Sequence, residues 1–162
     1  MKLVTQSIVV AFVVMSVVIT AKYFLADDGS NSTKEVIRLN NVKDCNIVQS
    51  KCLFVKDNQE LSISLSGSIR TMVPFKLSAE VFNFNSNIEK ISALFSMKSM
   101  KMGFNTFRLS KQQHSNITDE FDLWAASVLL PVCVSKRTDW NVTVKIETAT
   151  KIFEVDIPVE IH

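Results

Sequence analysis

The feature that most restricts what this chain can become is alternation. Leu61, Ile63, Leu65, Gly67 and Ile69 are separated one by one by Ser62, Ser64, Ser66 and Ser68. Leu77, Ala79 and Val81 alternate with Ser78 and Glu80, and Trp140, Val142, Val144 and Ile146 with Asn141, Thr143, Lys145 and Glu147. Phe153, Val155, Ile157, Val159 and Ile161 alternate with Glu154, Asp156, Pro158 and Glu160. Successive side chains of a strand point to opposite faces, so each run reads as a half-buried strand with one wet face. Pro158 has no N–H to give a ladder, which marks the last run as an edge strand. Less regular strands are expected at about 48–56, 88–97, 104–109 and 121–132, the last placed centrally because it is apolar on both faces. Turn residues at Asp57-Asn58, Asn83 to Asn87 and Lys111 to Thr118 separate them. Nothing past Ala26 keeps a helical period. The pattern predicts an all-β domain, an antiparallel immunoglobulin-like β-sandwich of roughly seven to eight strands.

The N-terminal stretch has a different grammar. No residue from Leu3 to Ala21 is charged, and Ile8 to Ile19 is almost wholly apolar. That run predicts one transmembrane helix over about 4–25, preceding the sandwich. Lys2 flanks its start, which places the N-terminus in the cytoplasm and the rest of the chain across the membrane. Ile19 and Phe24 are bulky where a secretory peptidase prefers small residues, so an uncleaved anchor is expected. The organisation expected is a membrane anchor or signal segment over 1–26, a polar tether over 27–43 and a periplasmic domain over 44–162. The lipid bilayer is then a partner, and the localisation is the inner membrane, single-pass, with the C-terminal domain in the periplasm.

Charge and motif exclude several classes of function. Of 18 Lys and Arg, Lys2 and Lys22 lie in the apolar segment, which leaves 16 against 16 Asp and Glu in the remainder. With no basic field to track phosphates, a nucleic-acid partner is not expected. Three glycines, at 29, 67 and 103, supply neither a P-loop nor a dinucleotide fingerprint. No His-Glu-x-x-His or Gly-x-Ser-x-Gly is present, and the two histidines, His114 and His162, are far apart in sequence. No catalytic residue is assigned, and the chain is not expected to be an enzyme. Tripeptides such as Asn116-Ile117-Thr118 fit the glycosylation pattern and are read as incidental.

Two sets of sulfur side chains stand out. Cys45 and Cys52 are close enough to close a small loop, and an oxidising compartment would join them, leaving Cys133 over. Cys133 is either a free thiol or a buried small hydrophobe. Met97, Met100 and Met102, three of the six methionines, fall in one short stretch. In an extended segment Met100 and Met102 share a face, and thioethers are soft ligands suited to Cu(I). The same residues could equally fill an irregular core, and Lys98 and Lys101 would repel a cation. Gly103 is expected to mark a bulge that re-aims these side chains, and Pro131 to end the neighbouring ladder.

Met100-Lys101-Met102-Gly103-Phe104-Asn105 with Arg108-Leu109, then Leu130-Pro131-Val132-Cys133, then Trp140 followed by alternating valines, make a familiar order. Together with the early pair Cys45 and Cys52, they resemble a family of membrane-anchored proteins of Gram-negative bacteria related to YtkA-like and FixH-like periplasmic domains. The resemblance covers roughly residues 44–160. It implies copper handling or haem-copper oxidase assembly, with Cu(I) held by Met100, Met102 and Cys133. The family often carries a Met where this chain has Thr138, so Met97 or His114 would have to replace that ligand. Partners implied are a haem-copper oxidase or its assembly factors. The alternative is a metal-free structural or interaction module of an inner-membrane complex.

Overall fold

The computed structural model describes residues 34–42, 45–84, 87–97, 105–113, 121–132 and 137–162. In chain order the strands are β1 Glu35–Arg38, β2 Asn40–Asn41, β3 Cys52–Lys56, β4 Gln59–Ser66, β5 Phe75–Phe82, β6 Ile88–Met97, β7 Thr106–Lys111, β8 Asp122–Val128, β9 Asp139–Thr148 and β10 Lys151–Glu160. All ten lie in one continuous sheet, ordered β1-β10-β9-β6-β7-β8-β5-β4-β3-β2. Every pairing is antiparallel except that of β1 with β10. Tight turns do the local work. Asp57 takes a φ of 54° in the two-residue link between β3 and β4, a conformation aspartate tolerates well.

Two segments turn the sheet into a nearly closed barrel. β7 pairs with β6 through Thr106–Leu109, then with β8 through Ser110 and Lys111. The stretch 35–42 does the same on the other side. β1 runs along β10, with the Leu39 N–H bonded to Glu154 O at 3.1 Å. The chain then crosses to β3, where Asn40 and Asn41 pair with Val55 and Phe54, and the Val42 N–H reaches Leu53 O at 3.0 Å. Leu39, at the crossing, is 7% exposed and packs into the core. Each corner thus pairs four residues with its first partner and two with its second, and holds the two halves of the sheet face to face.

Inward residues of the alternating runs fill the space between. Phe95 on β6 is fully buried and lies edge-on to Phe75 of β5 and Phe107 of β7, ring centroids 6.0 and 5.8 Å apart. Phe84 and Phe153 make a similar contact at 5.1 Å. Edge-to-face aromatic pairs add roughly 0.5–1.5 kcal/mol beyond burial. Outside, β9, β10 and β6 carry Lys90–Glu147 and Lys145–Glu154 at 2.9 Å each, while β4 shows mainly serine and β5 a mixture of Lys76, Ser78, Glu80 and Phe82. Exposed pairs of this kind contribute little stability and chiefly keep the face wet.

The immunoglobulin-like sandwich of seven to eight strands is therefore corrected to a ten-stranded, nearly closed barrel. Alternation reports which residues face inward; it carries no signal for a strand that changes neighbours halfway. β1 and β2 are also too short and too exposed to alternate visibly. The transmembrane helix expected over 4–25 lies outside the described residues. Among the described residues there is no helix of any kind, and none long and apolar enough to cross a membrane. The bilayer partner, the single-pass inner-membrane localisation and the periplasmic placement all rested on that helix, and the structure gives them no support.

Phe95 touches both halves of the barrel, so its truncation tests this core. Phe95→Ala should cost about 3–5 kcal/mol in urea unfolding. A loss below about 1 kcal/mol would show that the two halves do not pack through it.

Candidate functional site

Strand directions collect one set of connections at a single end of the barrel. The ends of β4, β6, β8 and β10 and the starts of β3, β5 and β9 all meet there. The loop between Cys45 and Cys52 is the first of these. Asn46 organises it: its Oδ1 accepts from the Val48 N–H at 3.0 Å, and its carbonyl accepts from the Gln49 and Ser50 N–H groups at 2.9 Å. Asparagine favours such turns because its side chain bonds backbone two residues on. The turn drops Ile47 into the core at 1% exposure. Cys45 and Cys52 stand at disulfide distance, Cα atoms 5.6 Å apart, and Cys52 is fully buried.

The second connection, 67–74, is pinned by two successive amides. The Thr71 N–H bonds His162 O at 3.0 Å, and the Met72 N–H bonds Leu130 O at 2.8 Å. Met72 itself has a φ of 60°, the left-handed region that costs a non-glycine residue about 1 kcal/mol or more. Its side chain is 63% exposed. Val73, Leu129 and Val132 are exposed beside it in sequence or through the Leu130 bond. Val42, Val48 and Leu53, around the disulfide loop, are exposed at the same end, whereas among the described residues Val36 is the one exposed large hydrophobic that lies elsewhere. Single exposed apolar residues need no explanation, but a gathering at one end sets that end apart from the rest of the described surface.

Two hollows lined by described residues bear on this site. The first, about 550 Å³, lies between Cys45, Asn46 and Val48 on one side and Asp139, Trp140, Pro158 to Glu160 and His162 on the other. Trp140 is 2% exposed, and its indole N–H has no hydrogen-bond partner. Asp139 is held by Arg137. The second hollow, about 560 Å³, lies over Phe75, Lys76, Gln112 and Ala125 to Ser127. Neither presents an acid and a base held together in a way that would position a reaction.

The metal centre fares differently from the disulfide pair. Met97 is 3% exposed and faces Trp140 across the β6–β9 ladder, inside the core. Met100, Met102, Gly103, Cys133 and His114 lie outside the described residues. Among the described residues no group of three His, Cys, Asp or Glu side chains could hold a metal ion. The copper-handling function expected from the sequence is corrected accordingly: among the described sulfur side chains, Met97 is in the core, Cys45 and Cys52 pair with each other, and Met72 stands alone on an exposed loop. Pro131 lies beyond the end of β8 at Val128, as a residue without an N–H should. The exposed rim of Met72, Val73, Leu129 and Val132 was not legible from the sequence. Pro158 did signal the edge that borders the first hollow.

The chain matches no known protein-family model, and no curated protein matches its sequence. The resemblance described above rests on its motifs alone.

Thiol titration of denatured, unreduced chain should find one reactive cysteine of the three. Finding all three reactive would overturn the pairing. Removing the bridge by Cys45→Ser with Cys52→Ser should lower stability by about 2–3 kcal/mol, the range for a short loop.

Proposed function

We propose that the domain is a non-catalytic protein-recognition module that binds a partner protein with the disulfide end of its barrel. The observation that carries this reading is the rim of exposed apolar side chains there, Met72, Val73, Leu129 and Val132, on loops fixed by hydrogen bonds. Loops pinned at their backbone and apolar at their tips lose little entropy on binding, which favours recognition. The wall around Lys145 does not compete: it carries the ion pairs Lys90–Glu147 and Lys145–Glu154. A second reading, catalysis, has no observation in its favour.

Site-specific photocrosslinking in the cells that make the protein tests this. A photoreactive residue at Leu129 or Met72 should give a discrete protein adduct, and one at Lys145 on the ion-paired face should not. Leu129→Asp, at an exposed position, should abolish the adduct formed from Met72 without lowering the amount of folded protein. Equal labelling from Lys145, or no discrete adduct from the rim, would contradict the proposal.

A further inference from the structure

The geometry points to the open edge of β10, residues 155–160, as a docking slot for an extended, basic segment of the partner protein, added as an extra strand. The inference rests on the recognition reading above and names how the partner is held.

The slot exists because the chain 35–42 changes sides. β1 accompanies β10 only from Lys151 to Glu154, and the Leu39 N–H on Glu154 O is its last rung. Residues of a strand alternate the side to which their backbone groups point. Glu154 points to β1, so Asp156, Pro158 and Glu160 point the same way, and no strand among the described residues takes them. Exposure follows the loss of the neighbour: Ile152 and Glu154 are half-buried beside β1, whereas Asp156, Pro158 and Glu160 are exposed. At the far end the Thr71 N–H closes the edge by bonding His162 O. From Glu154 to His162 the edge runs about 26 Å at the ordinary strand rise. The odd-numbered residues, Val155, Ile157 and Val159, stay buried, so a guest strand would not disturb the core.

The hollow of about 550 Å³ lies against this edge, with Val48 on its far wall and Trp140 among its lining residues. Main-chain ladders of this kind give affinity, and pockets beside them give selectivity.

Charge selects the occupant. Asp156 and Glu160 stand on the outer face about 13 Å apart at the usual rise, and neither carries an ion pair among the described residues. Asp156 accepts only from Thr143 Oγ1 at 2.5 Å and Asn141 Nδ2 at 3.3 Å. A strand with Lys or Arg at alternate positions would set cations against these carboxylates, the favourable cross-strand combination. A second copy fits poorly. Antiparallel pairing of β10 with itself about Pro158 would set Asp156 opposite Glu160, like charge against like. It would also bring together two prolines that have no N–H.

The test uses full-length chain and a fluorescent heptapeptide alternating lysine and valine, followed by anisotropy. Saturable binding is expected, weakened at least tenfold by Asp156→Lys with Glu160→Lys. Binding should be lost when every backbone amide of the peptide is N-methylated, which leaves its charge intact. A peptide alternating glutamate and valine should not bind. Equal binding of the N-methylated peptide would reduce the effect to charge attraction and overturn strand addition, as would binding unaffected by the double substitution. Concentration-dependent dimers that the double substitution abolishes would assign the edge to a second copy and also overturn it. If the heptapeptide fails while Leu129 and Met72 still crosslink a partner, only the strand-addition mode falls. If crosslinking fails while the heptapeptide binds, the rim reading falls instead.

Discussion

Everything in this molecule follows from two segments that hydrogen-bond to one neighbour and then to another. A sheet of ten strands cannot stay open without exposing the whole of its apolar face. β7 and the 35–42 stretch solve this by turning corners, each completing a ladder on one side before beginning one on the other. Leu39 makes the second corner durable: its side chain enters the core at the residue where the backbone changes partner. Burial of such a side chain is worth roughly 1.5–3 kcal/mol, enough to offset the lost rung beside it.

The corners have a cost that shapes the surface. Where β1 leaves β10, and where β8 runs past its pairing with β7, a strand has no outer neighbour among the described residues, and the two hollows lie against these edges. Beside β7 the gap is short, because β8 runs only from Ala125 to Val128 beyond its pairing with Ser110. Beside β1 it is longer and is bordered by Pro158, the residue that blunts an edge most simply. The Cys45–Cys52 loop, the Thr71 and Met72 amides and the end of β10 then fix the surroundings of that gap. A rigid rim, an open edge and carboxylates without cations lie within one end of the barrel.

How much of this could be read from residues alone divides along physical lines. Runs such as Leu61 to Ile69 and Phe153 to Ile161 showed their strands plainly, because one face is wet and the other dry. Pro158 suggested an edge strand, but β1 lies outside β10 over Lys151–Glu154, and only the part beyond is an edge. The closure did not show, since Glu35 to Asn41 is exposed along most of its length and leaves no period to detect. Met97 illustrates the opposite error: a methionine beside others suggested soft-metal chemistry, but its place opposite Trp140 makes it core. The rim around Met72 was invisible because its exposure depends on loop hydrogen bonds to Leu130 and His162, which are distant in sequence.

The central claim is that the barrel is sealed at Leu39 and open along β10 beyond it. Native-state hydrogen exchange on the full chain reads this residue by residue. The Leu39 and Val42 amides should exchange about as slowly as those of Val142 and Val144 in the middle of the sheet. The Asp156 and Glu160 amides should exchange orders of magnitude faster than those of Val155 and Ile157, which bond to β9. If Asp156 and Glu160 are as protected as their neighbours, or Leu39 exchanges as a frayed terminus does, the barrel does not close and open where this account places it.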